Sequence, residues 1–96
     1  MMPVRKAGKL PPPTISARYD LEYGSAELEV PTGLLDGKHV YLVDDVLATG
    51  GTLLAAIDLL TRAGATVTGV GVLIELSFLS GRARLDGHDV QALLTL

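Results

Sequence analysis

The feature that most constrains this chain is a run from His39 to Leu76 in which strand, loop, helix and strand patterns follow one another directly. His39-Val40-Tyr41-Leu42-Val43 is continuously apolar after the histidine, as expected of a parallel strand covered on both faces. It runs into Asp44-Asp45 and then a loop closing on Gly50-Gly51. From Thr52 to Ala63, apolar residues at 53, 54, 57 and 60, widened by Ala55, Ala56 and Leu59, predict an amphipathic helix stopped by Gly64. Thr66 to Leu76 predicts a second buried strand. Together these make a βαβ unit with a right-handed crossover.

The flanks attach to that unit. Residues 3–6 read as a short extended piece, and Pro11-Pro12-Pro13 as a stiff connector. Thr14 to Tyr23 alternates loosely and Ala26 to Val30 alternates cleanly, so with Gly24-Ser25 as the turn they predict a hairpin with a charged outer face. Ser77 to Leu85 reads as a short helix and Val90 to Leu96 as a final strand. The class is α/β, with a mostly parallel sheet, flanking helices and an attached antiparallel hairpin.

Composition limits the alternatives. With 96 residues there is room for one domain, spanning 1–96. Hydrophobic residues make up 48% and aromatic ones only 4%, so the core must be aliphatic. The absence of cysteine excludes disulfide scaffolds and thiolate metal sites and fits a reducing, cytoplasmic setting. A net charge of −3 gives no reason to expect nucleic acid or an anionic membrane as partner. No apolar run approaches the ~20 residues that span a bilayer, and Met1 to Lys6 has no apolar run behind its positive charges, unlike a signal peptide.

The densest chemistry lies between Val40 and Thr52. A buried parallel strand delivers Asp44 and Asp45 at its C-terminal end, where open α/β sheets bind ligands. The loop Ala48-Thr49-Gly50-Gly51-Thr52 then leads into a helix N-terminus, whose unpaired N–H groups carry partial positive charge and form an anion site. Two glycines permit close backbone approach, and two threonines add hydroxyl donors. A phosphate suits the loop, and vicinal hydroxyls suit the carboxylates. Phosphate beside a diol describes ribose 5-phosphate. Read singly, Gly50-Gly51 could be a plain turn and Thr52 a plain N-cap. Neither explains two adjacent aspartates held close together. A P-loop needs Gly-x-x-x-x-Gly-Lys and a dinucleotide fold needs Gly-x-Gly-x-x-Gly after a strand, and the chain has neither. A receiver-type domain needs a late lysine, and none follows Lys38. Gly69-Val70-Gly71 lies inside a strand and marks tight packing. His39 and His88 are not at metal-ligand spacing.

Residues 40–52 resemble the phosphoribosyl pyrophosphate (PRPP) binding motif of type I phosphoribosyltransferases. Residues 3–11, Pro-Val-Arg-Lys-Ala-Gly-Lys-Leu-Pro, resemble the basic segment of the adenine branch of that family. Residues 19–29, Tyr-Asp-Leu-Glu-Tyr-Gly-Ser-Ala-Glu-Leu-Glu, resemble its mobile catalytic loop. The resemblance implies a type I phosphoribosyltransferase-like sheet and transfer of a phosphoribosyl group from PRPP to adenine, giving AMP and pyrophosphate, with Mg²⁺ held mainly through PRPP and not by the protein. It implies a homodimer. Asp44 and Asp45 would hold the ribose hydroxyls and stabilise charge developing on the sugar. Ala48, Thr49, Gly50, Gly51 and Thr52 would grip the 5-phosphate. Arg5, Lys6 and Lys9 would meet the pyrophosphate, Glu22 would exchange a proton with the purine or orient it, and Tyr23 would help close the lid. From the residues alone, the basic cluster also reads as a solvated face and Glu22 as part of a charged hairpin face.

The family pattern begins before Met1. On the resemblance, this stretch lacks the N-terminal strand and helices, part of the purine hood and a Ser-Arg-Gly-type loop. A sheet without that strand is expected to expose aliphatic surface, and this stretch alone to turn over adenine poorly or not at all. The other reading is a non-catalytic PRPP- or AMP-binding remnant, or a piece completed by a separate N-terminal polypeptide.

Overall fold

The computed structural model describes residues 5–6, 14–21, 24–31, 33 and 35–96. β4 (His39–Leu47), β5 (Thr66–Glu75) and β6 (Val90–Thr95) form a parallel sheet in that order. Val40 pairs with Val67, Asp44 with Val72 and Val70 with Val90. β1 (Arg5–Lys6), β2 (Thr14–Leu21) and β3 (Gly24–Pro31) form a second, antiparallel sheet in the order β1-β3-β2. α1 (Gly51–Arg62) packs on the parallel sheet and also touches β2 and β3.

Those two neighbours explain why half of α1 is buried. Leu53 and Ile57 join Leu47, Val70, Val72, Leu85 and Val90 in one apolar cluster. Ala55, Ala56, Leu59 and Leu60 join Leu28, Val30, Leu35 and Ala65 in another. The core is aliphatic, as the composition requires. α1 ends as its glycine predicts. Gly64 takes φ +93°, its N–H donates to the Thr61 carbonyl at 3.1 Å, and the Ala65 N–H donates to the Leu60 carbonyl at 3.0 Å. This is a Schellman ending, with Leu60 and Ala65 both in the core.

The structure corrects the expectations at three places. The apolar run of β4 predicted cover on both faces, yet Tyr41 is 50% and Val43 68% exposed. Among the described residues, α1 and the hairpin stack on the face that carries Val40 and Leu42, and the opposite face is open. A run of apolar side chains reads the same whether its second face is covered by this segment or left bare. On that open face the Tyr41 ring lies over Gly69 and Gly71, where an added Cβ would come within 2.8 and 2.9 Å of it, so the two strand glycines do mark tight packing. Secondly, β3 begins at Gly24, paired with Leu21, so Gly24-Ser25 is strand and not turn. Thirdly, Ser77 to Leu85 is not one helix. A 3-10 turn (Ser77–Leu79) and a short α2 (Gly81–Arg84) are separated by Ser80 at φ +56°. A side chain in the left-handed region costs about 1–2 kcal/mol, and glycine is the residue that avoids it.

The Arg82 guanidinium spans the junction between β5 and β6. Its Nε and Nη2 donate to both carboxylate oxygens of Glu75, at 3.0 and 2.6 Å, and Nη1 donates to the Val90 carbonyl at 2.6 Å. Glu75 is buried, and the hydrogen bonds from Arg82 hold its carboxyl below the ordinary value of 4.5. A carboxyl held low in the folded chain stabilises it above the unfolded value, and that stability is lost as pH falls through the folded one. Glu75→Gln is expected to cost about 1–3 kcal/mol at pH 7, because Arg82 loses its charged acceptor but stays half exposed to water. Urea denaturation at pH 7 and pH 3 should show the variant's deficit shrinking at the lower pH.

Candidate ribose-phosphate site

β4 carries Asp44 and Asp45 near the C-terminal end of the parallel sheet and runs two residues further, to Leu47. The Asp45 N–H donates to Asp44 Oδ1 and the Val46 N–H to Asp45 Oδ1, both at 2.8 Å. Each carboxylate therefore has one oxygen fixed by backbone. Asp44 is half-buried and Asp45 exposed. Burial pushes the Asp44 carboxyl above the ordinary value of 3.8; the Asp45 N–H opposes this, and the neighbouring Asp45 carboxyl adds to it. Two acids side by side at a sheet end favour a ligand that brings hydroxyl donors or a cation.

Three residues separate the end of β4 at Leu47 from the helix, which begins at Gly51. Gly50 is its N-cap at φ +89° and ψ −4°, and no side chain caps it. The first intrahelical bond runs from the Leu54 N–H to the Gly50 carbonyl, at 2.9 Å. The N–H groups of Gly51, Thr52 and Leu53 thus head the helix with no carbonyl one turn back, and the first turn holds no acid to offset the positive end. Thr49 and Thr52, on either side of the two glycines, are both exposed. Thr52 lies one residue inside the helix, which removes the plain N-cap reading of it. The result is a helix start with the chemistry to take an anion, beside two carboxylates, within nine residues of chain from Asp44 to Thr52.

The comparisons with known proteins show the family. The phosphoribosyl transferase domain model matches residues 8–93. The chain belongs to the phosphoribosyl transferase family. It is 62% identical to an adenine phosphoribosyltransferase of Streptomyces galbus, over 97% of this chain and 54% of that protein. The crystal structure of adenine phosphoribosyltransferase from Thermoanaerobacter pseudethanolicus superposes with a TM-score of 0.92 at 47% identity, covering 98% of this chain and 55% of that one. The adenine phosphoribosyltransferase of Trypanosoma brucei, solved in complex with AMP, pyrophosphate and ribose-5-phosphate, gives 0.82 at 32% identity, over 96% and 44% of the two chains. The chain spans about half the length of the curated relatives it matches.

Against the phosphoribosyl transferase motif, Asp44, Asp45, Ala48, Thr49, Gly50, Gly51 and Thr52 lie together at one sheet end. Arg5 and Lys6 form β1, paired with Glu29 and Leu28 at an edge of the other sheet, so this part of the basic segment is a docked strand and not a loose tail. Lys9, Glu22 and Tyr23 lie outside the described residues. Among the described residues no three His, Asp or Glu side chains gather around one point. Asp44 and Asp45 are two acceptors without a third beside them among the described residues, which fits magnesium carried in mainly by the ligand and not held by the protein.

The pattern from Ser77 to Leu85 hid one element of the site. Gly81 is buried against the backbone of Ala48 and Gly50. The available signal was the glycine itself, between Ser80 and Arg82, in a stretch too short to need one for a helix.

Proposed function

We propose that this chain binds the ribose 5-phosphate portion of PRPP and of AMP, and that it forms the PRPP-binding half of an adenine phosphoribosyltransferase acting in purine salvage. The observation that carries this reading is the adjacency of the Asp44-Asp45 pair to the Gly50-capped start of α1. The loop amides from Gly50 to Thr52 hold the 5-phosphate and anchor the sugar. Asp44 and Asp45 accept from the two ribose hydroxyls. As the bond from the sugar to pyrophosphate breaks, positive charge develops on the ribose, and the carboxylates stabilise it. Arg5, Lys6 and Lys9 meet the pyrophosphate; Glu22 orients adenine or exchanges its proton, and Tyr23 closes over the site. Magnesium, when bound, offsets the charge of the pyrophosphate and enters with it. The setting is the cytoplasm. Among the described residues no helix is long and apolar enough to cross a membrane.

A specific observation favours a second polypeptide surface for turnover. β4 pairs only with β5 among the described strands, and Tyr41, Val43, Leu73 and Leu93 are exposed on the open face. They line a shallow depression of about 550 Å³ with Gly71 and Gln91. A relative contains roughly as much chain again, and that remainder is the cover that fits this face. A homodimer then forms from completed protomers.

The test is a radiolabelled adenine assay with PRPP and Mg²⁺. This chain alone is expected to form AMP at under about 1% of the rate of a full-length relative, since it spans only 54% of the Streptomyces galbus protein and leaves one face of its parallel sheet uncovered among the described residues. Mixed with the complementary half of the Streptomyces galbus protein, it is expected to gain activity at least tenfold. Full activity by the chain alone would contradict the need for a cover. No activity in any mixture, together with no PRPP binding, would contradict the transferase reading itself.

A further inference from the structure

The segment Glu75 to Arg82 takes no part in holding the ligand in the reading above, yet its backbone meets the phosphate loop more closely than any side chain would allow. A Cβ on Gly81 would collide with the Ala48 carbonyl oxygen and stand 3.0 Å from both the Gly50 nitrogen and Leu47 Cδ1. Reciprocally, a Cβ on Gly50 would stand 2.7 Å from the Gly81 carbonyl oxygen. The two glycines are therefore packed backbone to backbone, and both are buried.

Three features bring Gly81 to that position. The Leu76 N–H donates to the Leu47 carbonyl at 2.9 Å, which ties the end of β5 to the last residue before the loop. Ser80 takes φ +56°, which swings the chain from the 3-10 turn onto the loop. Arg82, next in sequence to Gly81, is anchored by its bonds to Glu75 and Val90. A four-residue helix has little stability of its own, so α2 is held from outside, by the Arg82 anchor and by Leu85, its C-cap, buried in the core.

We infer that Gly81 and the Glu75–Arg82 pair are positioning residues for phosphate binding: they press on Ala48 and Gly50 and hold the Thr49–Thr52 amides in the orientation that grips the 5-phosphate. The inference rests on the ribose-phosphate reading of the site. Its structural half, control of the loop by Gly81 and Arg82, is readable without any ligand. None of these side chains touches substrate. Their effect passes through the backbone of the loop, because a helix N-terminus binds an anion only when its first N–H groups converge.

The experiment uses the 96-residue chain and two variants, Gly81→Ala and Glu75→Gln, with ¹H–¹⁵N spectra and a ribose 5-phosphate titration well below the unfolding midpoint. In the ligand-free proteins, the amide resonances of Ala48 to Thr52 are expected to move in both variants while those of the second half of α1 stay in place. Ribose 5-phosphate affinity is expected to fall at least tenfold in each. A purely structural role would lower the unfolding midpoint and leave both readouts unchanged in the folded protein, and that result overturns the inference. If Gly81→Ala does not fold, Glu75→Gln decides, since it preserves shape and adds no atom to the loop. If loop resonances move but ribose 5-phosphate binds neither wild type nor variant, control of the loop stands and the ribose-phosphate reading falls.

Discussion

Replacing Asp44 and Asp45 together with Asn is expected to abolish measurable PRPP binding while leaving the chain folded, with its unfolding midpoint unchanged or higher. Each ionised carboxylate makes charge-assisted hydrogen bonds to ribose hydroxyls, worth about 1.5–3 kcal/mol apiece. Losing the charge on both removes roughly 3 kcal/mol or more, a factor of at least about 100 in affinity. Stability moves the other way. Burial and Asp45 raise the Asp44 carboxyl above 3.8, so the folded chain holds that proton more tightly than the unfolded one. Between 3.8 and the raised value, stability falls as pH rises, and at pH 7 the ionised Asp44 is a net cost to the fold. Asp44→Asn removes that cost. Calorimetric titration with PRPP–Mg²⁺ and thermal denaturation at pH 7 read the two effects separately. A variant that binds as wild type, or that unfolds at a much lower temperature, contradicts the account.

Gly50→Ala is the second large effect, and here binding and stability fall together. The left-handed backbone at φ +89° costs an alanine about 1–2 kcal/mol. Its Cβ would also stand 2.7 Å from the Gly81 carbonyl oxygen, and relieving such overpacking typically costs a further 1–3 kcal/mol. A loss of roughly 2–5 kcal/mol in urea denaturation is therefore expected. Whatever fraction remains folded must rotate Gly50 or push α2 away, and either change splays the first amides of α1. Gly37→Ala is the comparison that separates the two contributions. Gly37 also has a positive φ, of +73°, but nothing lies within 4 Å of where its Cβ would be, so that variant should lose only the conformational part and keep ribose 5-phosphate binding.

Much of the site was legible because its chemistry is local in sequence. Asp44 to Thr52 is a continuous stretch, and strand-to-helix loops with adjacent acids and glycines have few physical uses. The helix and its Gly64 ending were legible for the same reason: one periodicity and one left-handed residue specify them. What was not legible depends on residues far apart in the chain. The open face of β4 could not be inferred from Val40 to Val43, because an apolar run records what a strand would bury and not which element buries it. The backbone contact of Gly81 on Gly50 joins positions 31 residues apart, and no side-chain pattern announces it. The break at Ser80 was hidden because serine rarely takes a positive φ, and so the 77–85 stretch read as one helix. Residues 3–6 read as a short extended piece, and Arg5–Lys6 is a strand; its pairing with β3 was not legible, because the hairpin sets it.

The measurement that bears most directly on the central claim is a titration of the ¹⁵N-labelled chain with ribose 5-phosphate, followed by its amide resonances. The account predicts saturable shifts concentrated at Asp44, Asp45 and Ala48 to Thr52, with inorganic phosphate moving the 48–52 set alone and more weakly. Shifts spread over the surface, or saturable shifts centred away from the start of α1, would contradict it.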